Sequence, residues 1–299
     1  MAVTDLAAAR GPRPGRRAGP AGALGRTLRT PRARVGLAVL VVVAAWAVLG
    51  PVLSRWDPTT SDVTAFGRPP DAVHWFGTDA SGRDLYVRTL VGLRTSLAVG
   101  LVAGPLSTLV AAVVGAVGGY LGGRVDRAVV WGIDLALVLP SFYLLVLLAP
   151  TAGRAGWVAV ALAIALLGWM VMARLVRAQT RSLRDRDFVT AARFLGVPTA
   201  TVLRRHVLPH LASLLVVDAT LGVAAAVLTE ATLGWVGLGL GPPAVSLGTL
   251  LAAGSAAAVT RPWLFWFPAG LLVATVLATS LIGDALRDAL DPTTGAGRA

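Results

Sequence analysis

Six long apolar runs punctuate the chain, at about 35–53, 96–119, 128–149, 156–173, 211–230 and 263–283, with polar, arginine-bearing stretches between them. Each is close to the roughly twenty residues that a helix needs to cross a bilayer core about 30 Å thick. None alternates polar with apolar positions as a barrel strand would. Inside a bilayer a helix satisfies every backbone donor and acceptor within its own segment, so these runs predict an all-α membrane protein with six transmembrane helices. A seventh run, TLLAAGSAAAV at 249–259, is followed by Arg261 and Pro262. It is too short to span and predicts an outer-surface or re-entrant helix.

Composition agrees with this pattern: 56% of the 299 residues are hydrophobic and 14% are charged. Cysteine is absent, which removes disulfides, thiolate metal sites and thiol catalysis. All 27 basic side chains are arginines. A phosphate-cradling loop of the Gly-Lys-Ser/Thr kind needs its lysine, so the chain supplies no such nucleotide site.

The net charge of +12 is distributed by position, which argues against nucleic acid. With the N-terminus in the cytoplasm, twenty of the 27 arginines fall inside: those before the first run, Arg124 and Arg127, those from Arg174 to Arg205, and Arg287 and Arg298. Arg55, Arg68, Arg83, Arg88, Arg94, Arg154 and Arg261 fall outside. That bias places both termini in the cytoplasm.

The organisation expected is a disordered Arg/Gly/Pro-rich tail at 1–34, a first helix at 35–53 and an extracytoplasmic loop with an interfacial helix at 54–95. A five-helix core at 96–290 and a cytoplasmic tail at 291–299 complete it. The first apolar run starts too late and extends too far for a cleaved signal peptide.

In the outer loop, GTDASGRD is turn-like, with Thr78, Asp79 and Ser81 placed to cap the next helix. DLYVRTLVGL is amphipathic and expected to lie along the interface before the second span. The second run is rich in small residues, among them Ala103, Gly104, Ala111, Ala112, Gly115, Gly118 and Gly119, which lets helix backbones approach closely.

Ionisable groups at membrane depth must face protein or water. Asp134, Asp218 and Glu230 are therefore candidates either for the translocation pathway or for structural hydrogen bonds between helices. Pro140, placed to kink the third span, is the fourth pathway candidate. His74, His206 and His210 are distant in sequence and expected on opposite membrane faces, so no metal site or cofactor is expected. His206 is expected to bond a neighbouring backbone group. GLGLG at 237–241 follows no strand and reads as a flexible outer turn.

Between the fourth and fifth runs lies DFVTAARFLGVPTATVLRRHVLPH, residues 187–210. Phe188, Val189, Ala192 and Leu195 fall on one helical face, Gly196 ends that helix and Pro198 opens another. An apolar stripe too small to span and too prominent to leave wet fits a protein groove, read by anchors at helical spacing.

This stretch resembles the EAA motif of bacterial ABC-importer permeases. Ala191 and Ala192 are followed after three residues by Gly196, then by nine residues and His206-Val207-Leu208-Pro209. Thr190 stands where the general motif has Glu. The form is closest to the dipeptide/oligopeptide/nickel import family, although His210 replaces that subgroup's final Asn. HWFGTDASGRDLYVRTLVGLRTSLAVG, GGYLGGRVD, LTEATLGWVGLGLGPP and GDALRDALDP are similar to its C-type subunit. Leu247 stands where relatives commonly carry Trp.

The resemblance implies a type I importer permease fold in the bacterial inner membrane. It implies an ATPase-coupling helix within about 185–210, with Phe188, Ala191, Ala192, Leu195 and Gly196 as contacts, Arg193 and Arg204 at the rim, and His206, Leu208 and Pro209 completing the motif. The partners implied are a homologous second permease, two cytoplasmic ATPase subunits and an extracytoplasmic binding protein.

Peptide is the expected solute, with nickel or another small solute as the alternative. An ion-coupled secondary transporter would show inverted repeats around its carboxylates, and none is evident. A membrane enzyme would need its acid/base groups clustered at one depth, whereas these carboxylates lie on separate spans.

Overall fold

A computed structural model describes residues 30–290; the tails expected at 1–34 and 291–299 lie outside it, apart from 30–34. Among the described residues there is no strand beyond two isolated bridges, and the chain is built from helices. α1 (Pro31–Leu53) starts four residues earlier than expected, because Thr30 caps it by accepting a hydrogen bond from the Ala33 N–H at 3.3 Å and Pro31 suits the first turn.

α2 (Leu85–Leu121) is a single helix of 37 residues, so the expected interfacial helix is its first turns and not a separate element. No proline interrupts Leu85–Leu97, and Leu85, Val87, Leu90 and Leu93 are all buried. The cap is Asp84, whose Oδ1 accepts from the Val87 N–H at 3.0 Å, and not Thr78, Asp79 or Ser81. A cap must directly precede the first helical residue, and the helix begins later than the turn-like stretch. Thr78 bonds Ala65 and Arg68 instead, and Asp79 receives Arg83 and Arg88, each at 2.9 Å.

The third apolar run is bent by 80° between α3 (Gly123–Val138) and α4 (Ser141–Ala155). Pro140 lacks the N–H that would continue the helix and forces Leu139 into an extended conformation. A second break was not expected: α5 (Trp157–Gly168) and α6 (Met170–Arg184) meet at 48° around Trp169, whose ring N–H donates to the Leu166 carbonyl at 2.8 Å. α6 also runs well past the expected end of the fourth span. Its extension carries Arg174, which pairs with Asp134, and Arg177, which donates to Asp126 Oδ2 at 2.7 Å, tying α6 to α3.

Beyond α7 (Asp187–Phe194) and α8 (Thr199–Val202), residues Leu203–Val207 form a wider π turn leading into α9 (Leu208–Trp235). Pro209 cannot donate its share of an α-helical ladder, and the Leu208 N–H reaches back five residues to Leu203. α10 (Leu247–Ser255), closed by a reciprocal Ser246/Thr249 cap, has the nine residues of an element too short to span; α11 (Trp263–Leu290) follows. Among the described residues four helical stretches are long and apolar enough to cross a membrane, or up to six if each bent pair is one span.

α2 is the hub. Its expected small-residue face is buried, and it meets α9 where Gly104 lies against Gly222, and α6 where Gly115 faces the Ala173 carbonyl. Leu247 is fully buried among Tyr86, Leu90 and Leu93.

The loop between α1 and α2 is held by a buried histidine. His74 Nδ1 lies 2.8 Å from Asp84 Oδ2, and Trp56 stacks on the imidazole at 4.5 Å. The Asp62 carboxyl is held below the usual range chiefly by the Thr64 hydroxyl and N–H, and Asp71 by the His74 and Val73 N–H groups. Depressed folded-state values mean that these bonds contribute stability above the ordinary carboxylate pKa of about 3.9 and lose it as pH falls through the lower folded values. Amide exchange at Thr64, Val73 and His74, corrected for intrinsic rates, is therefore expected to stay flat from neutral pH down to about 4 and to accelerate below it. Exchange that stays flat well below about pH 4 would remove these carboxylates from holding the loop.

Candidate functional site

The elbow between α6 and α9 is built around two faces. Val189 and Ala192, 0% and 7% exposed, pack into a core cluster with Val176, Val202, Leu203 and Val207. Phe194 and Leu195, 87% and 82% exposed, stand on the other side with Ala191, Arg193 and Gly196. Gly196 takes a φ of +74°, the left-handed conformation that ends α7 and turns the chain toward α8.

The single apolar face expected from Phe188, Val189, Ala192 and Leu195 is thus split. Ala192 packs into the chain's own core. Phe194 is exposed instead, and was missed because it falls outside the helical spacing used to define the face. The signal available was the adjacent apolar pair Phe194-Leu195 immediately before a helix-ending glycine.

Phe188 is half covered by His210, whose ring stacks on it at 4.8 Å and whose Nδ1 lies 2.5 Å from the His206 carbonyl oxygen. The backbone bond expected of the His206 ring is therefore made by His210, with the His206 carbonyl as acceptor. Arg204 and Arg205 are exposed beside this stack and line a surface hollow with Ala200 and Thr201. Leu208 packs against the core cluster, and Pro209 is exposed.

A cavity of about 440 Å³ lies among α2, α4, α5 and α9. Both helix breaks border it: Ser141 and Phe142 begin α4 just after Pro140, and Gly168 ends α5 at the other break. Non-helical backbone at membrane depth is tolerated where it lines a cavity or is buried in protein.

Asp218 projects into the cavity, and its Oδ2 accepts a hydrogen bond from Thr108 Oγ1 at 2.6 Å. Of the four pathway candidates, the structure therefore brings Asp218 and the Pro140 bend together. Asp134 is half exposed and paired with Arg174, away from the cavity. Glu230 is fully buried where α2, α9 and α10 meet: Ser96 Oγ donates to its Oε2 at 2.7 Å and accepts from the Leu247 N–H at 3.2 Å. It locks three elements together and does not line the cavity.

Residues 108–295, which hold the elbow and most of the cavity lining, match the family described as binding-protein-dependent transport system inner membrane component. The chain is 44% identical over 268 residues to the oligopeptide transport system permease protein OppC of Mycobacterium tuberculosis (strain ATCC 25618 / H37Rv), covering 89% of this chain and 92% of that protein. It is 37% identical over 260 residues to OppC of Bacillus subtilis (strain 168), covering 87% and 85%. A putative peptide permease protein of Brucella melitensis is 42% identical over 269 residues, 89% of each chain. A match over this much of the chain, on a bundle of apolar helices, makes it a multi-pass membrane protein, and the chain belongs to the family of binding-protein-dependent transport system inner membrane components.

Proposed function

We propose that this chain is the permease subunit of an ATP-driven peptide importer. It contributes half of the pathway beside a homologous second permease, and two separate ATPase subunits supply the hydrolysis. An extracytoplasmic binding protein delivers the peptide. Each bent pair counts as one span, giving six spans with both termini and the elbow in the cytoplasm, as the arginine distribution supports. The observation that carries the coupling role is the exposed Phe194-Leu195 pair, held at the tip of an elbow whose opposite face is anchored in the permease core.

The peptide assignment is supported by the relatives named as oligopeptide and peptide permeases. Coupling follows two-state logic. Closure of the ATPase pair moves the docked elbow, and α9, continuous with it through the π turn, carries that motion toward Asp218 and the cavity. The test is uptake of labelled short peptides by the assembled transporter in proteoliposomes. Uptake is expected to require both ATP and the binding protein. Uptake that persists without ATP and follows an ion gradient would replace this reading with a secondary transporter.

A further inference from the structure

We propose that the Asp218 carboxylate receives the cationic amino terminus of a peptide as it crosses the membrane midplane; this rests on the chain being a peptide permease. Asp218 is ten residues into α9, about 15 Å along the axis, which is half the thickness of a bilayer core. The cavity it faces, about 440 Å³, falls within the size range of small-ligand sites and admits part of an extended peptide.

Among the described residues lining that cavity, Asp218 alone carries a charge. The other polar groups are the hydroxyls of Ser107, Thr108, Ser141 and Thr229. Arg174 lies outside the lining and is paired with Asp134. Thr108 orients one carboxylate oxygen, while Oδ1 meets no protein donor among the described residues.

A carboxylate at this depth with a hydroxyl partner and no counter-charge is costly, and the cost falls when a cation enters. The cavity thus attracts an ammonium group and repels a free carboxylate. Peptides of unrelated sequence share one cation, the α-amino group, protonated in roughly half or more of molecules up to its pKa of about 7.7–8.0. A site for that group serves any side-chain sequence, as a general peptide pathway requires. Thr108 is a positioning residue in this scheme, fixing the carboxylate rotamer through its 2.6 Å bond.

The experiment compares, in the complete transporter in proteoliposomes, uptake of a tetrapeptide with neutral side chains and of its N-acetylated form. Because the same binding protein serves every variant, its own preference cancels when the two uptake ratios are compared. Asp218→Asn and the smaller Asp218→Ser are expected to lower uptake of the free-amino peptide about tenfold relative to the acetylated one, as loss of one charge-assisted contact would. Asp218→Glu, which keeps the charge, is expected to retain the preference. Equal loss for both peptides, or an unchanged ratio in both neutral variants, overturns the proposal while leaving the peptide permease intact. Wild-type transporter that moves neither peptide would instead overturn the functional reading beneath it.

Discussion

Replacing Phe194 and Leu195 together by aspartate is expected to uncouple the permease from its ATPase without unfolding it. Both side chains are more than four-fifths exposed, so the substitution removes little intramolecular packing. The cost to the fold is on the order of 0.5 kcal/mol, as for surface changes generally. An adjacent aromatic and aliphatic pair in a groove is, by contrast, the kind of anchor whose loss costs about 2–4 kcal/mol of binding. At about 1.4 kcal/mol per decade, ATPase affinity should fall by about thirty- to a thousandfold. Copurification of the ATPase and ATP-driven uptake should both be lost, while yield and thermal stability of the permease stay near wild type. The internal comparison is Val189→Asp: that side chain is fully buried, and a charge there should unfold the elbow and lower stability itself. Retained copurification with the double variant would remove the docking role from this face.

How much of the fold and the site was legible in the sequence depends on whether a feature is local. The apolar runs, the Pro140 bend, the short α10 and the Gly196 turn arise from hydropathy, a missing N–H or a left-handed glycine, and all are present. The break at Trp169 has no proline to announce it, and the merging of the interfacial stretch into α2 depends on what Leu85–Leu93 pack against. The elbow shows the limit most clearly. Periodicity grouped Val189 and Ala192 with Leu195, yet which arc of so short a helix is buried was decided by Val202, Leu203 and Val207 from the next turns. The three carboxylates looked equivalent in sequence. Their roles separate only when Arg174, Ser96 and Thr108 arrive from other helices.

The crossing of α2 and α9 links the fold to the cavity, and Gly104→Ala should reveal it. A Cβ built on Gly104 would sit 2.6 Å from both Gly222 C and Val223 N, backbone atoms that cannot rotate aside. Relief to ordinary contact requires the helices to part by about 1 Å, and overpacking of this kind costs about 1–3 kcal/mol. The same separation acts one turn away on each helix, at Thr108 and Asp218, whose 2.6 Å hydrogen bond has no flexible reach to follow it. The expected result is a lower melting temperature together with about tenfold slower peptide uptake, from a site displaced by a distance that matters to positioning. Gly104→Leu should prevent the two helices from packing at all. Gly132→Ala is the contrasting case: it lies within α3 with no other atom within 4 Å of the new Cβ, so stability should be unchanged or up to about 1 kcal/mol higher. If Gly104→Ala matched Gly132→Ala in both melting and uptake, the close approach of α2 and α9 would have no part in holding Asp218 in place.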